Sequence, residues 1–152
     1  MSTIANRYYR RAVEQIRRGE IDDAAEGFRQ AVEIAPMFVE ARVAYAYALA
    51  RTEPQHAANS IRAGLARPDV RPKQQLLLHR ALGDVLLAVG PVGYREAEEA
   101  YLVAWRLGDR LGIPQLDLHD RLARLRAKTG RFSDALDELL AAARASRQAP
   151  SR

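Results

Sequence analysis

The residues best suited to acid–base or metal chemistry in this sequence are three histidines, His56, His79 and His119. His119 lies between Asp117 and Asp120, and a carboxylate can orient an imidazole for proton transfer. A single cluster of this kind is a weak signal. A metal pair would also need carboxylates or thiolates at ligand spacing, which the sequence does not supply. We therefore expect no catalytic residue, no metal site and no cofactor.

Other common catalytic motifs are missing as well. The chain has no cysteine, which excludes disulfides, thiolate metal sites and thiol nucleophiles. The sequence shows no strand pattern and therefore no strand followed by a glycine-rich phosphate loop. It also contains no nucleophile motif. We predict that the protein is not an enzyme.

Composition indicates a folded domain. Of the 152 residues, 48% are apolar and 28% are charged, a balance typical of neither disordered nor membrane-spanning chains. No apolar run approaches the roughly 20 residues of a spanning helix, and the first residues lack the apolar core of a signal peptide. The sequence predicts a single domain in the cytoplasm, without membrane contact.

The stretch from Ala81 to Ala104 predicts two helices that pack closely. A glycine-containing turn, residues 90–93, separates two segments with apolar residues at spacings of three and four. Small residues such as Gly83 and Ala97 allow the helices to approach, while Tyr101 fills the space beside them.

The same pattern recurs along the chain. Gly19 ends a first helix as a left-handed cap would, and Pro36 closes the second. Pro68 and Pro72 predict an extended linker and a looser joint at that point. We expect these residues in the core: Ala24, Phe28, Ala31, Gly83, Ala97, Tyr101, Ala104, Ala135 and Leu139.

This arrangement resembles the tetratricopeptide repeat, whose pattern has Leu-Gly in the first helix and an Ala-x3-Phe-type step in the second. The resemblance divides the chain into units at about 5–38, 39–72, 74–111 and 116–149, with a tail at 146–152. It implies one all-α superhelix, or solenoid, of about four antiparallel helix pairs. Stacking supplies the core, because one unit cannot bury its own apolar face.

The resemblance also implies that first helices line a concave groove and that the protein is a scaffold or adaptor. Mapped onto this sequence, the groove residues are Tyr9, Arg10, Val13, Arg17, Val43, Tyr47, Arg51, Leu77, Arg80, Asp84, Arg121, Arg124 and Lys128. These residues favour a protein or peptide partner with apolar anchors and acidic flanks, because arginine holds carboxylates bidentately. The carboxylate clamp of the chaperone-binding repeats is excluded, since residues such as Val13 and Ala44 stand at its positions.

Two alternatives to a general adaptor stay open. The 22 arginines, among 24 basic residues, could bind RNA or another polyanion through the first helices, although nucleic acid is the less favoured partner. Such binding would weaken by orders of magnitude as salt rises, whereas apolar anchoring would persist. A secretion-type chaperone is the other alternative, because such chaperones resemble this chain in size and build.

The end of the stack predicts self-association. Leu136 and Leu140 lie one turn apart on the last helix and are not needed to pack against their own unit. A two-fold homodimer would cover this row with a single surface. The tail or the partner could cover it instead.

Overall fold

The computed structural model describes residues 2–129 and 132–148 and, within the last helix, the side chains of residues 137–147. The described residues form α-helices and no β-strand. The helices are α1 (Thr3–Arg17), α2 (Ile21–Ile34), α3 (Val39–Leu49), α4 (Pro54–Leu65), α5 (Pro72–Val89), α6 (Tyr94–Leu111), α7 (Leu116–Lys128) and α8 (Phe132–Gln148). A short 3-10 helix, Pro91–Gly93, leads into α6.

Local sequence signals set several helix boundaries. The Ser2 side chain accepts a hydrogen bond from the Ala5 amide at 3.3 Å and caps α1. Gly19 follows α1 with a φ of 79°, a left-handed conformation that favours glycine. Pro54 and Pro72 each begin a helix, where a missing amide proton costs nothing.

The helices pair along the chain as α1–α2, α3–α4, α5–α6 and α7–α8, with short connections that make each pair antiparallel. The second helix of each pair also packs on the first helix of the next. Because α3 packs directly against α5, first helices lie side by side on one face of the stack. We call the face shared by α1, α3, α5 and α7 the inner face.

The principal core cluster extends from α3 to α7, and smaller clusters join α1 and α2 to α3. The prediction of buried positions is confirmed for Ala24, Phe28, Ala31, Gly83, Ala97, Tyr101 and Ala104. It is wrong for Leu139, which is 47% exposed. The side chain of Ala135 lies outside the described residues.

An ionic cluster explains why Leu139 faces outward. Glu138, the preceding residue, turns toward α7 and accepts from Arg126 Nη1 at 2.6 Å, while its other oxygen lies 3.0 Å from His119 Nδ1. Arg126 also pairs with Glu98 of α6 at 3.3 Å. Because Glu138 occupies the face of α8 that packs on α7, Leu139 and Leu140 point away from it.

The prediction of a loose joint at the proline-rich linker is also wrong. Helices α4 and α5 pack over much of their length, whereas α6 and α7 touch over a shorter stretch. Gly64 of α4 packs closely on both neighbouring helices, since a Cβ there would lie 3.3 Å from Cδ2 of Leu78 in α5 and 2.6 Å from Cδ of the buried Arg42 in α3. The Arg42 guanidinium donates to the carbonyl oxygens of Ser60 at 2.9 Å and Pro36 at 3.2 Å. The prolines therefore restrict the linker without separating the helices.

Candidate binding groove

An apolar cavity opens on the inner face between α1 and α3. It has a volume of about 350 Å³ and is lined by Val13, Ile16, Ile21, Phe28, Ala44, Tyr47, Ala48 and Arg51. Among these, Val13, Ile16 and Tyr47 are 39%, 41% and 44% exposed. Apart from the Arg51 guanidinium and the Tyr47 hydroxyl, the lining side chains present carbon atoms only. We refer to this space as the apolar cavity.

A second cavity, of about 400 Å³, lies farther along the same face between α5 and α7, with α6 behind it. Its lining residues are Asp84, Leu87, Tyr101, Arg121, Arg124, Leu125 and Lys128. Because cationic groups outnumber carboxylates in this lining, we refer to it as the basic cavity.

Asp84 joins three helices on the inner face. The Tyr47 hydroxyl of α3 donates to its Oδ2 at 2.5 Å, and the Tyr101 hydroxyl of α6 donates to its Oδ1 at 2.6 Å. Arg121 of α7 also donates to Oδ1. The carboxylate of Asp84, on α5, therefore links the second, third and fourth helix pairs by hydrogen bonds.

Both phenols act as hydrogen-bond donors. Burial, followed by the hydrogen bond to Asp84, raises the pKa of Tyr47 and the pKa of Tyr101 well above the usual tyrosine range. Each hydroxyl keeps its proton at physiological pH and continues to satisfy the Asp84 carboxylate.

Asp117 forms a second bridge between α5 and α7. Arg80 Nη2 donates to it at 2.5 Å, and Arg80 Nη1 donates to Gln115 Oε1 at 2.5 Å. Arg121 Nε also lies 3.4 Å from Asp117. Two arginines that the sequence assigned to ligand contact are thus paired with carboxylates of the chain itself.

The predicted groove residues differ in exposure. Arg10, Val13, Arg17, Tyr47, Arg51, Leu77, Arg124 and Lys128 are exposed, and Tyr9, Val43, Arg80, Asp84 and Arg121 are partly buried. The Tyr9 ring packs 5.6 Å from the Phe28 ring and 4.9 Å from the Phe38 ring, so it belongs to the contact between α1, α2 and α3. The assignment of these residues to partner binding stays a prediction.

Sequence reasoning missed Ile16 as a cavity residue. It was not among the predicted groove residues, yet it lies one turn beyond Val13 and lines the apolar cavity. The three-residue spacing between Val13 and Ile16 is the signal that would have revealed it.

Of the three histidines, His119 is buried, His79 is partly buried and His56 is exposed. The described residues contain no group of histidine, aspartate and glutamate side chains that could hold an ion. His119 is buried and contacts the Trp105 ring edge-on at 5.2 Å. His79 is partly buried, and its Nδ1 atom is buried without a hydrogen-bond partner among the described residues.

The partial burial of His79 predicts that the stability of the protein depends on pH. Burial lowers its pKa below the ordinary value of 6.5, so the unfolded chain binds a proton more readily than the folded chain. Above pH 6.5, the imidazole is neutral in both states and does not oppose folding. As the pH falls below this value, the unfolded chain takes up a proton first, so the folded protein loses stability. We expect the thermal midpoint of the wild type to fall more steeply between about pH 7 and 5 than that of His79→Leu. Parallel melting curves for both proteins across this range would contradict the assignment.

The predicted dimer contact lies partly outside the described side chains. Leu140 is 47% exposed, as expected, and Leu139 is equally exposed beside it. The side chain of Leu136 is not among those described. The homodimer therefore stays a prediction.

Among the described helices, none is both long enough and apolar enough to cross a membrane.

Comparisons with known proteins identify the fold. No protein-family profile matches the sequence. No curated protein matches it either. Among solved structures, "MamA 41-end" from Desulfovibrio magneticus RS-1 superimposes with a TM-score of 0.76 at 14% identity, covering 97% of this chain and 78% of that one. MamA from AMB-1 gives 0.67 at 17% identity, covering 96% and 75%, and MamA from MSR-1 gives 0.69 at 15%, covering 93% and 76%. The chain therefore has the tetratricopeptide-repeat fold, an all-α superhelix of about four antiparallel helix pairs.

Proposed function

We propose that the protein is a non-enzymatic adaptor that binds an extended segment of another protein along its inner face. The observation that carries this proposal is the apolar cavity. Its volume of about 350 Å³ falls within the range of small binding sites. Val13, Ile16 and Tyr47 leave apolar side chains exposed around this concave space, and contiguous apolar patches on soluble proteins often mark binding grooves.

The chemistry of the inner face supports binding rather than catalysis. Asp84 accepts hydrogen bonds from three donors, and Asp117 is held by Arg80. Both carboxylates are thus engaged by side chains of the protein itself. Asp84 and Asp117 therefore hold neighbouring helices together.

Charge pairing favours a protein partner over RNA. Arg80 and Arg121 each form a partly buried ion pair with a carboxylate on a neighbouring first helix. A surface neutralised in this way attracts a phosphate backbone weakly, since that attraction depends on uncompensated charge. The apolar cavity, in contrast, is lined mainly by carbon atoms, with Arg51 as its single charged residue.

The test begins with a randomised peptide library displayed on phage and selected on the wild-type protein. Recovered peptides are then measured against Ile16→Glu, which places a charge inside the apolar cavity. The matched control is Ile34→Glu, at a similarly exposed isoleucine of α2 that does not line the cavity. A buried apolar side chain contributes roughly 1.5–3 kcal/mol, so Ile16→Glu should weaken binding by about tenfold or more.

Ile34→Glu should leave the affinity unchanged, and both variants should keep the wild-type thermal midpoint. Equal losses in the two variants, or no loss in Ile16→Glu, would place the binding site elsewhere.

A further inference from the structure

The apolar and basic cavities adjoin on the inner face. Tyr47 lines the apolar cavity, and its hydroxyl lies 2.5 Å from Asp84, which lines the basic cavity. The Tyr47–Asp84 hydrogen bond is therefore the boundary between the two spaces. One extended segment lying across this bond would reach both of them.

Charge is distributed unevenly within the basic cavity. Next to the boundary, Asp84 and Arg121 are bonded to each other and offset each other. Arg124 and Lys128 follow one and two turns farther along α7. Positive charge available to a ligand therefore lies at the end of the cavity away from Tyr47.

Neither of these two cations is strongly held by the protein. Arg124 pairs with Asp120 at 3.0 Å, but its side chain is 77% exposed, and such surface pairs contribute little. The Lys128 amine lies 5.9 Å from the centre of the Tyr94 ring. No carboxylate among the described residues lies within ion-pair distance of that amine. Both groups can exchange these contacts for a carboxylate of a ligand.

We propose that the partner segment is bipartite: a bulky apolar side chain enters the apolar cavity, and acidic side chains contact Arg124 and Lys128 in the basic cavity. This inference rests on the proposed function and specifies its ligand. The order along the segment follows from the charge distribution, because Asp84 and Arg121 offset each other at the boundary and the available cations lie farther along α7. The acidic part must then lie beyond Asp84, toward the end of α7.

A change of charge specificity tests the proposal. The same peptide library is selected in parallel on the wild type and on the double variant Arg124→Glu, Lys128→Glu. Wild-type selection should recover an apolar residue with aspartate or glutamate on one side of it. The double variant should recover the apolar residue with lysine or arginine in place of the acids. The control Arg95→Glu, Arg106→Glu reverses two exposed charges on α6 outside both cavities and should recover the wild-type pattern.

The possible failures are distinguishable. In one failure, the recovered peptides depend on Ile16 and yet carry no acidic residues. In another, they carry the same acidic residues when selected on the double variant. Either result overturns the bipartite ligand and leaves the proposed function standing. Recovery of no Ile16-dependent peptide overturns both. An oligouridylate that binds the wild type but not the double variant, and weakens steeply with salt, assigns Arg124 and Lys128 to nucleic acid and overturns the inference.

Discussion

The variant Gly83→Leu should lower the free energy of unfolding by about 1–3 kcal/mol, the usual cost of overpacking a core. A Cβ atom at position 83 would lie 2.4 Å from Cε1 of the Tyr101 ring, closer than carbon atoms approach in folded proteins. Tyr101 is fully buried and its hydroxyl is held by Asp84. The ring therefore cannot move aside without breaking that hydrogen bond.

Chemical denaturation of Gly83→Leu and of the control Ala88→Leu measures this effect. Ala88 lies on the same helix but is exposed, so its substitution adds the same side chain without a collision. We expect the control to stay close to the wild type. A Gly83→Leu protein as stable as the control would mean that α5 and α6 do not approach as closely as described.

The second large effect is expected for Asp84→Ala. Without the carboxylate, the hydroxyl of buried Tyr101 loses its acceptor and the Tyr47 hydroxyl loses its partner across the groove, while Arg121 keeps its contact with Asp117. Leaving a buried polar group unsatisfied costs about 1–3 kcal/mol. We expect a loss of stability of about this size.

Asp109→Ala is the control for Asp84→Ala, because Asp109 is an exposed acid on α6. Thermal unfolding of both variants, with the double variant Asp84→Ala, Tyr47→Phe, separates the contributions. Tyr47→Phe should cost little once Asp84 is gone, since the two groups form one interaction. Fully additive losses would show that the hydrogen bond between Tyr47 and Asp84 is not formed in solution.

Much of the fold followed from spacing because small residues and turns act locally. Gly83 and Ala97 predict the close contact of α5 and α6 from their own positions, and Gly19 predicts the end of α1. Leu139 was misassigned because its orientation depends on Glu138, which is drawn toward Arg126 and His119 of another helix. Repeat spacing carries no information about that ionic contact.

The sequence predicted which residues belong to the groove, but not which of their side chains contact one another. Tyr47, Asp84 and Arg121 were each assigned to the inner face, yet nothing in the sequence indicated that all three meet. Such a meeting depends on how successive helix pairs stack, and small rotations of each pair accumulate along the chain. Periodicity within one helix does not determine that rotation.

The proposal that the inner face binds a protein segment is tested most directly by chemical-shift mapping. Amide resonances of the ¹⁵N-labelled protein are followed as a library-selected peptide is added. We predict that the largest shifts occur at cavity residues of α1 and α3, including Val13, Ile16, Ala48 and Arg51. Shifts confined to the outer surfaces of α2, α4 and α6, with these residues unchanged, would contradict the proposal.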